Sequence, residues 1–231
     1  MAAKRKTLPK NFEDLLKTAT VEELIQVLEK CELNAYAGYG KQTALSFDNC
    51  PHELAQWLIA KRLDIETLDR YEYTPLQSRS RYPNATIKSL LELGADVHLN
   101  NRNGTPLHCA ARNHQVENTK LLLEYGADIH ALAPNHYGIN DGENYTPLAS
   151  SLLACQNIDI EKMVEISNLL LKAGAEKTLL IKKLVTKIGK EFEHVRERFN
   201  PLYVDQTSEA LHELYTIFDV VHVPRKVLHD E

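Results

Sequence analysis

The apolar residues of this chain fall into short paired runs, each pair closed by a glycine or a turn. The clearest pair lies at the centre. Leu107, Ala110 and Ala111 recur at helical spacing, and Val116, Leu121, Leu122 and Leu123 follow after a brief polar break. That spacing predicts two short helices joined by a turn. Thr105 supplies a side-chain oxygen for the first helix N-terminus, and Pro106 occupies the first helical position, where no amide partner is needed. Gly126 permits the left-handed residue that ends the second helix. The two adjacent alanines let a neighbouring helix approach closely. One such pair cannot bury its own apolar face, so pairs of this kind must stack.

The phrase repeats. Thr-Pro-Leu stands at Thr74-Pro75-Leu76, Thr105-Pro106-Leu107 and Thr146-Pro147-Leu148, with Thr43-Ala44-Leu45 as a variant. Gly-Ala-acid stands at Gly94-Ala95-Asp96, Gly126-Ala127-Asp128 and Gly174-Ala175-Glu176. Thr43 to Thr74 is 31 residues, and Thr74 to Thr105 is 31 again. A period near 33 carrying Thr-Pro-Leu-His resembles the ankyrin repeat, and the segment from Asn101 to Ala131 is similar to that family's consensus. The resemblance covers roughly residues 10 to 177. It implies an all-α solenoid of helix-turn-helix repeats with hairpin-like fingers, extended by appended C-terminal helices. His108 invites a catalytic reading, but the family's histidine at this place usually hydrogen-bonds turn backbone, and that role is expected.

Taken in order, residues 1–9 are expected as a basic, solvated tail and residues 10–42 as an N-terminal capping repeat. Repeats follow at 43–73, 74–104, 105–145 and 146–177, with C-terminal capping helices and a tail at 178–231. The first full repeat diverges: Asp48, Asn49, Cys50 and Pro51 interrupt its first helix, and Arg62-Leu63-Asp64 replaces Gly-Ala-Asp, which should strain or reshape the turn. Trp57 is expected in packing. The second repeat carries Arg79-Ser80 where small residues belong. A buried unpaired arginine would cost several kcal/mol. Two readings stand open: a surface or paired arginine in an irregular turn, or Arg79 and Arg81 projecting into the groove to meet an acidic partner. Thr105 to Thr146 is 41 residues, and the excess lies in residues 132–142, a loop that lengthens one finger. After Glu176 the repeat phrase stops. Residues 179–199 read as an amphipathic helix with Ile181, Leu184, Val185, Ile188, Phe192, Val195 and Phe199 on one stripe, and residues 208–218 as another helix.

Composition narrows the picture. Net charge is −5, which argues against nucleic acid as a main partner. No apolar run reaches membrane-spanning length, and the basic start lacks the apolar core of a signal peptide. Cys31, Cys50, Cys109 and Cys155 are widely spaced, so buried free thiols in a reducing cytoplasm are expected rather than zinc. There is no phosphate loop, nucleophile elbow or metal-ligand spacing, and no cofactor is expected. An enzymatic reading would have to draw on Glu191, Glu193, His194 and His212, which have no recognisable spacing.

Candidate chemistry lies in the fingers. Six of the ten tyrosines fall there: Tyr36, Tyr39, Tyr71, Tyr73, Tyr137 and Tyr145. Tyr82 lies near a helix end, Arg70, Arg102 and Arg112 occupy neighbouring positions expected to be exposed, and Arg81, Asn103, His114 and His136 join them as candidates; Tyr73 and Tyr145, just before the turn threonine, are also expected to pack in part on the next finger. Tyrosine and arginine concentrate energy at protein interfaces. With Arg79, these are the expected partner-binding residues. The function expected is non-catalytic binding of one protein partner with an acidic patch, by a chain that is monomeric when free. The resemblance extends to small stand-alone ankyrin proteins of bacteria, some thought to neutralise a cognate toxin as immunity proteins and others acting as secreted effectors on host proteins. A membrane-peripheral adaptor using the lysine-rich helix is the alternative from another class; burial of Phe192, Val195 and Phe199 would exclude it.

Overall fold

The structure is a computed structural model that describes residues 3–83, 87–134 and 143–225. Its helices form two stacked layers. The first-helix layer contains α4 (Pro75–Ser80), α6 (Pro106–Arg112), α8 (Pro147–Ala154) and α10 (Leu179–Val195), each packed on the next. The second-helix layer contains α2 (Val21–Leu28), α3 (His52–Ala60) and α5 (Ile87–Glu92) in sequence, then α7 (Val116–Glu124), α9 (Ile160–Lys172) and α11 (Val204–Phe218). Helix α1 (Phe12–Thr18) precedes α2, and its Phe12 packs edge-on against Phe47 at 5.6 Å. One continuous apolar core runs through the stack, from Leu8 and Phe12 to Phe192 and Phe218.

The threonine starts do what their chemistry predicts. Thr74, Thr105 and Thr146 each accept a hydrogen bond from the backbone N–H three residues on. Thr74 and Thr105 complete capping boxes with Gln77 and His108. The helix ends are equally regular. Gly94, Gly126 and Gly174 take φ of +91°, +80° and +107°. The N–H after each glycine reaches five residues back, as in Ala95 to the Leu90 carbonyl at 2.9 Å. Arg62 stands at the same place in the first full repeat. The turn is not reshaped: Arg62 adopts φ +72°, and Leu63 N–H still bonds the Leu58 carbonyl at 3.0 Å.

Among the described residues, the strands lie in the fingers and near the N-terminus. β1 (Arg5–Thr7) pairs in parallel with β2 (Cys31–Ala37), which pairs antiparallel with β3 (Gln42–Thr43). The basic segment expected as a solvated tail is therefore docked, with Leu8 N–H bonded to the Tyr36 carbonyl at 2.9 Å and the Leu8 side chain buried. β4 (Ala133–Pro134) pairs with β5 (Asn144–Tyr145) and forms the base of the lengthened finger. Residues 135–142 of that insertion, with the expected site residues His136 and Tyr137, lie outside the described residues.

The repeat grammar does not stop at Glu176. Thr178 caps α10 through its hydroxyl, accepting from Ile181 N–H at 3.3 Å, and lies 32 residues after Thr146. α10 packs on α8 as α8 packs on α6, and α11 packs on α9 as α9 packs on α7. The C-terminal pair thus continues the stack with longer helices. Phe192 is fully buried, and Val195 and Phe199 are half-buried, with Phe199 edge-on to Phe192 at 5.4 Å. The apolar stripe of α10 faces protein, which removes the face a lipid-binding helix would need. No helix among the described residues is long and apolar enough to cross a membrane.

Candidate protein-binding groove

Three consecutive fingers meet the C-terminal end of α4 around a groove of about 560 Å3. Gly40 and Gln42 come from the first finger, Asp69, Tyr71 and Tyr73 from the second, and Arg102 and Asn103 from the third. Arg81 and Tyr82 close it from the end of α4.

Local chemistry builds each wall. In the second finger one Asp69 carboxylate oxygen accepts the backbone N–H of Tyr71 at 2.8 Å and of Tyr73 at 3.0 Å. Asp69 N–H returns a bond to the Tyr73 carbonyl at 3.0 Å. These bonds close a tight loop, with Glu72 at φ +64°, and hold its tyrosines side by side. Neighbouring fingers are laced together. Arg70 N–H bonds the Gly40 carbonyl at 2.7 Å. Asn103 Nδ2 donates to the Tyr71 carbonyl at 2.9 Å, and Asn101 Nδ2 to the Glu72 carbonyl at 2.7 Å. The α4 wall is fixed from behind: buried Asn118 of α7 donates to the carbonyls of Ser80 at 3.3 Å and Tyr82 at 3.0 Å, on either side of Arg81.

Aromatic rings and guanidinium groups alternate across this surface. Arg70 lies over the Tyr39 ring at 4.1 Å, and Tyr39 is 6.4 Å from Tyr71. Arg81 lies over Tyr73 at 4.4 Å and Tyr82 at 5.7 Å. Tyr39, Tyr71 and Tyr82 remain 71%, 47% and 44% exposed. Arg102 pairs with Glu72 at 3.0 Å. Tyr36 is half-buried further along the first finger, with the Lys41 ammonium 5.5 Å from its ring centroid.

Several residues expected at the surface lie inside. Arg79 is fully buried and does not reach the groove. The first helix of the preceding repeat is reduced to one 3-10 turn, Ala44–Ser46, so its Leu45 carbonyl lacks the helical partner a longer helix would bring. Arg79 Nε donates to that carbonyl at 2.7 Å, and Asp48 and Cys50 supply favourable electrostatics beside it. Burial nevertheless pulls the guanidinium below its ordinary pKa. Arg112 is buried with its Nη2 bonded to the Asn103 carbonyl at 3.3 Å, beneath the third finger. Asn103 is itself buried, spending its amide on Tyr71. His114 is buried at the α8 side, 3.2 Å from the Ser151 carbonyl and 3.6 Å from the Asp159 carboxylate. Tyr145 is buried and packs into the core.

His108 serves the turns. Its Nδ1 accepts Thr105 N–H at 3.2 Å, which fixes the proton on Nε2, and Nε2–H donates to the Tyr145 carbonyl at 2.9 Å. Burial pushes its pKa down to about 4. Gln77 makes the equivalent bridge one repeat earlier, donating to the Gly104 carbonyl at 2.6 Å. All four cysteines are free and buried, and burial pushes each thiol up, Cys109 to about 11. No group of three or more His, Cys, Asp or Glu among the described residues is placed to hold a metal ion. Asp69, Gln42 and Asn118 were not among the expected site residues. Asp69 carried a signal, because aspartate two residues before a turn N–H is the Asx pattern, repeated at Asp96 with His98 and Asp128 with His130.

A family model for ankyrin repeats, in three copies, matches residues 41–133 and 84–181, together more than half the chain. The chain belongs to the ankyrin-repeat family. It is similar to Ankyrin repeat and SOCS box protein 5 of Mus musculus, 41% identical over 81 residues, covering 35% of this chain and 25% of that protein. Ankyrin repeat and SOCS box protein 11 of Homo sapiens is 38% identical over 78 residues, covering 33% and 24%. Ankyrin repeat and SOCS box protein 6 of Pongo abelii is 36% identical over 89 residues, covering 34% and 21%. The chain spans about a quarter of the length of these relatives or less. Ankyrin repeats mark it as a protein-protein interaction module.

Proposed function

We propose that the chain is a non-catalytic binding protein that grips one protein partner in the groove between its first three fingers and the end of α4. The observation that carries this reading is the convergence there of exposed tyrosines and stacked arginines from successive repeats. Such side chains supply large contact area at small cost in side-chain entropy. The wall is already rigid, because the finger loops are closed by Asp69 and laced by Asn101 and Asn103. A preorganised wall lowers the ordering cost of binding.

The partner's identity decides the biological role. The relatives carry a SOCS box in their names, which favours an adaptor role over toxin neutralisation or effector work on a host protein. The membrane-peripheral alternative loses its support with the burial of the α10 stripe. The test is quantitative affinity capture from the native source with wild type and a Tyr71→Ala, Tyr82→Ala variant. Arg79 must be left intact, since its loss reports on folding. A protein captured stoichiometrically by wild type and depleted at least tenfold with the variant supports the groove. Equal capture by both contradicts it.

A further inference from the structure

Among the described residues that line the groove, Arg102 has a carboxylate partner and Arg81 does not. Asp69 lines the groove, but one of its oxygens is committed to the N–H groups of Tyr71 and Tyr73. Glu72 at the rim is committed to Arg102. Arg70 rests on Tyr39 at the outer edge. Arg81 is different. Its guanidinium is stacked by Tyr73 and Tyr82, its Nε is buried without a hydrogen-bond partner, and no carboxylate among the described residues pairs with it. The residue is half-buried along the groove wall. Asn118 anchors the backbone on both sides of it, so the fork is presented from a fixed position.

We propose that Arg81 is the receptor for a carboxylate: an aspartate or glutamate side chain on an extended segment of the partner, its neighbours lying over Tyr71 and Tyr82. This inference rests on the reading of the groove as a protein-binding surface. A planar guanidinium held on aromatic faces matches a carboxylate in a bidentate pair, and the rings keep water from competing. A monoanion matches the single charge of Arg81 better than a phosphate dianion does, because the Asp69 carboxylate also lines the groove.

The experiment is selection of short random displayed peptides on wild type, Arg81→Gln, Arg81→Glu and Tyr71→Ala, Tyr82→Ala proteins, each shown by circular dichroism to be folded. Wild type is expected to enrich aspartate or glutamate at one position, flanked by apolar or aromatic residues. Arg81→Gln is expected to lose that preference, and Arg81→Glu to replace it with lysine or arginine. A synthetic copy of the leading peptide with glutamine at the acidic position should bind wild type about tenfold more weakly, yet bind Arg81→Gln as well as the parent does. A copy with phosphoserine there should also bind wild type more weakly. Undiminished acidic selection by Arg81→Glu, tighter binding of phosphoserine, or failure to enrich any peptide overturns the carboxylate assignment. The underlying reading fails separately. Non-acidic peptides that are lost with Tyr71→Ala, Tyr82→Ala keep the groove as a binding surface, whereas peptides indifferent to that change remove both proposals.

Discussion

His108 and Gln77 perform the same task one repeat apart, closing their own helix start and bonding the backbone of the next finger. Only one of them titrates. The buried imidazole stays neutral down to about pH 4, against an ordinary value of 6.5. Between those values the unfolded chain binds a proton that the folded chain does not, so stability falls as pH falls through this window and the loss is complete below it. The full effect is on the order of 3 kcal/mol. Replacing His108→Gln should leave stability near pH 7.5 within about 1 kcal/mol and flatten the decline toward pH 4, as read by urea midpoints across pH. Wild type and variant with parallel pH profiles would contradict the assignment. Arg79 gives the opposite kind of residue-scale result. Its place in the sequence, where a small residue belongs, marked it as an anomaly. Its solution was not legible there, because the carbonyl it serves is 34 residues earlier, in a helix cut short before Cys50 and Pro51. Arg79→Ala should cost about 3 kcal/mol, since it leaves a cavity and an orphaned carbonyl.

At the scale of elements, the turn after α3 keeps its geometry although it lost its glycine. Arg62 is held in the left-handed region at φ +72°, a conformation that costs roughly 1–2 kcal/mol for a residue with a Cβ. Arg62→Gly should therefore raise stability by about 1 kcal/mol after the greater freedom of glycine in the unfolded chain is deducted. Differential scanning calorimetry would show it as a higher Tm. Gly189 illustrates the reverse. It lies inside α10, where glycine is disfavoured, yet a Cβ there would overlap the Tyr215 hydroxyl of α11 and stand 2.8 Å from its ring. Gly189→Ala should destabilise by about 1–3 kcal/mol despite the better helix former, with only partial rescue by Tyr215→Phe because the ring carbon still intrudes. The Arg62 turn was visible in the sequence as a missing glycine. The Gly189 contact was not, because it depends on two helices of the C-terminal pair meeting. That pair also hid its kinship with the repeats: Thr178 keeps the period, but leucine replaces proline after it and the helix runs to 17 residues.

At the scale of the whole molecule, the stack is a single core ended by a docked strand at one side and by α10 and α11 at the other. Phe192→Ala should cost about 3–5 kcal/mol and should lower the one unfolding transition as a whole, since repeat stacks transmit such losses through their interfaces. The repeat architecture was legible from Thr-Pro-Leu and Gly-Ala-acid because capping and turn chemistry are local. The groove was legible in outline, as tyrosines and arginines recurring in the fingers. Which of them face outward was not, because burial is set by neighbouring repeats: Arg112 and Asn103 are consumed in holding the third finger, and His114 and Tyr145 belong to the interior. Partners are expected on the finger side and not on the back of the second-helix layer. The most direct measurement is photo-crosslinking in native cells, with a benzophenone amino acid at Tyr71 in the groove or at Lys120, an exposed residue on α7. A specific adduct from position 71 and none from position 120 is the predicted result. An adduct from position 120 alone would place the binding surface on the second-helix layer instead.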